Sequence, residues 1–80
     1  MNNDLTKNLD SLKTTELGIA RIRRNINLPN DIDVVQFCID QIKNADEITH
    51  IGKNWYVKTV NIVITINKNS LTIITAHMNK

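Results

Sequence analysis

His50 and His77 are the side chains of this sequence that can move a proton near neutral pH. Each, taken alone, also reads as a structural or neutral surface histidine, because one histidine without a partner defines no mechanism. The densest positive feature is Arg21, Arg23 and Arg24. Arg21 and Arg24 are three apart and share a helix face, where two planar guanidinium forks suit phosphate oxygens. The same residues also read as the solvated C-terminal end of a helix, where positive charge suits the helix dipole. Lys53 and Lys58 add positive charge further along the chain. Tyr56 can stack on a nucleobase, with Thr65, Asn67 and Thr72 nearby as hydrogen-bonding groups. The alternative for these four is an ordinary solvated sheet face.

Other chemistries find no support. Cys38 is the single cysteine, so no internal disulfide forms. It sits in an apolar run and reads as a small buried hydrophobe rather than an activated thiol. No Cys, His, Asp or Glu spacing matches a metal site, so neither a metal nor another cofactor is expected. Two helices joined by a loop and followed by hairpins superficially suit a winged helix. Asp31 and Asp33, however, would meet DNA phosphates at the start of the second helix. DNA readout is therefore not the expectation.

Eighty residues are expected to form one domain, residues 1–80, with a small core. Phe37, Trp55 and Tyr56 are the only aromatics beside thirteen isoleucines, so that core must be aliphatic. Twelve asparagines accompany the isoleucines, a composition of A/T-rich coding that points to a low-GC bacterium, its phage or a mobile element. The net charge of +2 permits nucleic-acid binding without demanding it. The first residues do not read as a signal peptide. No apolar run approaches the roughly 20 residues of a spanning helix. A cytoplasmic protein without membrane contact is expected.

The elements that position these residues follow from periodicity. Asp4 to Lys13 reads as a short helix, frayed at its start, with Leu5, Leu9 and Leu12 on one face. Thr14 or Thr15 caps a second helix carrying Leu17, Ile19, Ile22 and Ile26, and ending by Leu28 before Pro29. Gly18 costs about 1 kcal/mol relative to Ala inside that helix, which predicts close approach by another element. Asn30 or Asp31 caps a third helix to about Lys43. Its inward stripe is Ile32, Val35, Ile39 and Ile42, widened by Phe37 and Cys38. The period then changes to two. Ile48 to Ile51 reads as a short edge strand, and Gly52-Lys53-Asn54 as a turn. Residues 55–59, 62–67 and 71–77 read as further strands. The fold class is α+β: two to three N-terminal helices packed on one face of a three- to four-stranded antiparallel sheet. The helical pair covers residues 14–44 and the sheet residues 48–77.

Register assigns the faces. A Val60-Asn61 turn puts Trp55, Val57, Ile62, Ile64 and Ile66 on the helix side. A Lys68-Asn69 turn adds Leu71 and Ile73 to that side. The open face then carries Tyr56, Lys58, Val63, Thr65, Asn67, Thr72 and Ile74. The same register turns Thr75 and His77 toward the helices, with His77 at the rim.

Thr14-Thr15-Glu16-Leu17-Gly18-Ile19, continued by Arg21 to Asn25, with Gly52 to Val57 and Ile73-Ile74-Thr75-Ala76-His77, resembles a family of small bacterial proteins of about this length, grouped as a domain of unknown function. That resemblance covers nearly the whole chain and implies no activity. Helices followed by an antiparallel sheet also resemble the ribonuclease group that unites barnase, EndoU, colicin and RelE-type toxins. Thr75-Ala76-His77 is similar to the closing strand of some members. What this second resemblance implies is metal-independent RNA cleavage. His77 would act as acid or base beside Thr75, and Arg24 or Lys53 would stabilise the charged phosphorane.

The functional expectation is thus an RNA-directed domain, with Arg21, Arg24, Lys53, Tyr56 and Lys58 as binding residues and His77, Thr75 and Arg24 as candidates for chemistry. The alternative is a small phage or mobile-element protein that binds a protein partner, such as a defence-system component, without catalysis. Homodimerisation through an edge strand is a third possibility.

Overall fold

The computed structural model describes residues 4–79. Leu5 anchors the first turn of helix, α1 (Asp4–Lys7), and is fully buried. The expected helix to Lys13 does not continue. A 3-10 turn at Leu9–Ser11 tightens the chain, and Leu12 is extended at φ −63°, ψ 140°. Leu12 is buried and Leu9 packs against the core, so the leucine stripe serves packing without one continuous helix. The extended backbone leads into a two-residue strand, β1 (Lys13–Thr14).

The second helix, α2 (Glu16–Ile26), begins where its cap chemistry places it. Thr15 Oγ1 accepts from the Gly18 N–H at 3.0 Å. It ends at Asn27, whose left-handed backbone (φ 55°, ψ 43°) lets the Asn27 and Leu28 N–H groups close on the Arg23 carbonyl. Arg23 also donates from its guanidinium to the Pro29 carbonyl and so fastens the following loop. Ile22 is buried with Ile19 and Ile26 packed beside it, whereas Leu17, expected on the apolar stripe, is 60% exposed. It lies on the flank opposite Ile19 and Ile26.

The third helix, α3 (Val34–Lys43), starts later than expected. Asp33, not Asn30 or Asp31, is the cap, accepting from the Gln36 N–H at 3.0 Å. The buried stripe is accordingly Val34, Cys38 and Ile42, and Ile32 is exposed. Val35, Phe37 and Ile39 flank that stripe.

The sheet has five strands in the order β1-β5-β4-β3-β2, with β2 (Glu47–Ile51), β3 (Asn54–Lys58), β4 (Ile62–Asn67) and β5 (Thr72–Met78). It is mixed rather than purely antiparallel, because β1 pairs parallel to β5. Lys13 N–H donates to the Leu71 carbonyl, and Thr14 Oγ1 to the Ile73 carbonyl at 2.8 Å. These bonds tie the start of α2 to β5. A Cβ at Gly18 would come within 3.4 Å of the Ile73 carbonyl oxygen and 2.3 Å of Thr14 Oγ1. The close approach that Gly18 signalled is thus made by the Thr14 side chain of β1, which is itself held by the β5 carbonyl of Ile73.

The Val60-Asn61 turn holds: Thr59 N–H donates to the Ile62 carbonyl, and Thr59 Oγ1 accepts from the Asn61 and Ile62 amides. Trp55 faces Ile66 and Val57 faces Ile64, all buried beneath the helices. The β4–β5 connection differs. Asn67 Oδ1 accepts from the Asn69 and Ser70 amides, and Leu71 N–H returns to the Asn67 carbonyl with Leu71 at φ 56°. Pairing therefore begins at Ile66↔Ile73 rather than Ile66↔Leu71. Ile74 is an extra residue in the ladder, since Thr65 pairs with Thr75 and Ile64 with Ala76. This bulge reverses the expected facing of the strand's last residues: Ala76 is buried, and Thr75 and His77 turn to the open face.

Candidate nucleic-acid interface

The face of the sheet away from α3 is built in rows across the strands. One row is Thr49, Tyr56, Thr65 and Thr75; the next is Glu47, Lys58, Val63 and His77. Cross-strand partners share a face, so the register alone collects these residues. Each row spans three strand gaps, roughly 14 Å. Glu47, Thr49, Ile51, Tyr56, Lys58 and Val63 line a shallow groove of about 280 Å3. Its walls are Ile51, Val63 and the Tyr56 ring, with polar groups at the Glu47 end. Thr49 Oγ1 donates to Glu47 Oε2 at 2.8 Å and steadies that carboxylate. Asn54 Nδ2 donates to the Tyr56 hydroxyl at 3.4 Å.

Helix α2 borders this face along β5. Asn25 Nδ2 donates to Thr75 Oγ1 at 3.3 Å. Arg21 lies one helical turn before Asn25 on the same stripe, and Arg24 follows Arg21 at i+3. Both arginines are exposed. Arg23 is committed to the Pro29 carbonyl instead.

Of the residues singled out by sequence, Tyr56, Lys58, Thr75 and His77 thus share one face; Arg21 shares the helix stripe of Asn25 beside it, and Arg24 lies further round α2, opposite buried Ile22. Lys53 does not join them. It sits in the β2–β3 turn, five residues before Lys58, roughly 17 Å along the strand. The two histidines are on opposite faces, because His50 pairs with Trp55 on the helix side, ring centroids 5.0 Å apart. They cannot serve as an acid–base pair at one phosphate. Glu47, the remaining titratable carboxylate in the His77 row, is three strands away from it. Burial pushes the Cys38 thiol up to about 12, which removes it as a nucleophile. Among the described residues, no three His, Cys, Asp or Glu side chains gather as a metal site.

Sequence reading missed Glu47, Thr49 and Asn25. Starting the edge strand one residue earlier would have put Glu47, Thr49 and Ile51 on one face by simple alternation. Nothing in the sequence announces that Asn25 reaches β5, because its partner is fifty residues away.

The family described as Protein of unknown function (DUF3781) matches residues 6–77. The chain belongs to this family. The match runs from α1 into β5 and includes β1 to β4 and both long helices. The family's description carries no activity with it. No curated protein and no solved structure matches the chain. The ribonuclease-like resemblance therefore rests on element order and on Thr75-Ala76-His77 alone. Among the described residues, no helix is long and apolar enough to cross a membrane.

Proposed function

We propose that the open sheet face binds single-stranded RNA, with Tyr56 as the stacking platform and Lys58, Arg21 and Arg24 as phosphate contacts. The observation that carries this reading is the bulge at Ile74. It brings Thr75 and His77 into the rows of Tyr56 and Lys58 and sets Thr75 within reach of Asn25 on α2, the helix that carries Arg21 and Arg24. An aromatic on an antiparallel sheet, with threonines on either side, suits an unstacked base, and the flanking cations suit its backbone. Glu47 opposes Lys58 in register, so the groove itself is nearly neutral and the flank supplies the attraction. Binding is favoured over cleavage, because among the described residues the one carboxylate in the row of His77, Glu47, stands three strands away from it.

Fluorescence anisotropy with labelled single-stranded oligoribonucleotides at low salt tests this reading. Tyr56→Ala should weaken binding by about 5- to 150-fold, the range of one lost base stack. Two to three phosphate contacts give a log–log salt slope of about −1.4 to −2.1. Absence of binding at low salt, where phosphate contacts are strongest, would sink the proposal.

A second reading, a protein that binds another protein, draws support from the outer edge of β2, which no strand pairs among the described residues. Recovery of one stoichiometric protein after nuclease treatment, with no RNA bound, would favour it.

A further inference from the structure

Glu47 is an anion on a face proposed to bind a polyanion. Phosphate contacts do not call for it, and Lys58, its cross-strand partner, offsets its repulsion of them. A residue that does nothing for the backbone can still read a base. The setting of Glu47 suits that task. Thr49 Oγ1 donates to Oε2 at 2.8 Å and limits the rotation of an otherwise exposed side chain. A carboxylate offers about four lone-pair sites, so one hydroxyl leaves most of its accepting capacity open. Glu47 and Tyr56 line the same groove, so a base stacked on the ring can turn one edge to the carboxylate. Ile51 and Val63 complete the walls and bring no side-chain donor to compete for it.

The four RNA bases offer such an acceptor different edges. Guanine sets two donors side by side, N1–H and the N2 amino group. Adenine and cytosine each set one amino group beside a ring nitrogen that accepts. Uracil sets one N–H between two carbonyls. Against a carboxylate, each of these three turns a lone pair toward one of the two oxygens, and that repulsion selects as much as the attraction does. Guanine alone meets both oxygens with N–H donors, in the paired, charge-assisted arrangement that makes such bonds strong.

We infer that the groove takes a guanine base of single-stranded RNA, stacked on Tyr56 and held by the Glu47 carboxylate through N1–H and the N2 amino group. The assignment rests on the RNA-binding reading above and names the base that reading leaves open. Lys58 keeps its place at the backbone, where it also cancels the charge that Glu47 brings to the face. Glu47 therefore adds selectivity and no net attraction: the flanking cations and the Tyr56 ring supply affinity for any strand, and the carboxylate sorts the strands by base.

Anisotropy of the full chain at low salt tests the inference, with labelled oligouridines unmodified or carrying one central guanosine, inosine, adenosine or cytidine. The guanosine oligonucleotide should bind about 5- to 150-fold tighter than those with adenosine, cytidine or uridine at that position. Inosine lacks only the N2 amino group and should fall between. Glu47→Gln, whose amide nitrogen would meet that amino group donor to donor, should bind guanosine and inosine alike. Each ratio is taken within one protein, so partial unfolding of a variant leaves it intact. Equal binding of all five oligonucleotides overturns the inference and leaves the RNA reading standing. A guanosine preference that Glu47→Gln does not touch overturns it too, because another group then reads the base. Guanosine monophosphate competing as strongly as the oligonucleotide overturns the assignment to RNA, since a free nucleotide then fills the groove. No binding of any RNA overturns the inference and the RNA reading together.

Discussion

Ile73 and Thr75 are two residues apart on one strand, yet they face opposite sides of the sheet. Ile73 meets Ile66 beneath the helices, and Thr75 meets Thr65 on the open face. A regular strand would give both the same side. Ile74 is the extra residue that separates them, and with it the whole end of β5 changes face.

Substitutions at neighbouring positions read this directly. Ala76 is fully buried and His77 is exposed. Ala76→Arg buries an unpaired charge and should cost more than about 3 kcal/mol, whereas His77→Arg should stay within about 0.5 kcal/mol. Urea unfolding followed by Trp55 fluorescence measures both. A regular hairpin would invert the order.

Gly18→Ala gains about 1 kcal/mol in helix propensity. The new methyl group would nevertheless fall 2.3 Å from Thr14 Oγ1, which is itself bonded to the Ile73 carbonyl. Net destabilisation of about 1–3 kcal/mol is expected. In a Gly18→Ala/Thr14→Ala pair the clash is gone, so the double variant should lose less than the sum of the two single changes. Strict additivity would show that the contact is not what makes glycine necessary.

The cap positions separate two aspartates that look alike in sequence. Asp33→Ala removes the acceptor for Gln36 N–H and should cost about 1 kcal/mol, as should Thr15→Ala at the start of α2. Asp31→Ala, two residues before the cap, should lie within about 0.5 kcal/mol of the parent. Thermal unfolding by circular dichroism distinguishes the three.

Alkaline pH should weaken the fold through Cys38. Burial raises its thiol from 9.0 to about 12. Above pH 9 the unfolded chain releases this proton and the folded chain keeps it. The unfolded state then binds fewer protons, and stability falls as pH rises, by about 1.4 kcal/mol per pH unit at its steepest between about 9 and 12. Cys38→Ala lacks this term. Its deficit against the parent at pH 7.5 should shrink by pH 10.5 in urea titrations; an unchanged gap would refute the linkage. The native thiol should also resist labelling at pH 8, where an exposed one reacts at once.

Short-range physics was legible in the sequence. A helix cap at Thr14 or Thr15 is legible because a threonine hydroxyl reaches an amide three residues on, and pairing of Thr14 with β5 leaves the cap to Thr15. Trp55, Val57, Ile62, Ile64 and Ile66 share a face because a two-residue turn fixes strand parity. Cys38 reads as buried because its neighbours are apolar. The tertiary structure alone decided the rest. Lys13 and Thr14 become a strand only because β5 offers them carbonyls some sixty residues away. Asp33 wins over Asp31 as the cap because the buried stripe of α3 must include Val34 and Cys38. The face of His77 depends on one unpaired residue, Ile74. Alternation counts residues, and a bulge changes the count without changing the pattern. The open face that now holds Tyr56, Lys58, Thr75 and His77 exists because the loop from Asn67 to Leu71 and the contact with α2 set where pairing starts, and those are long-range events.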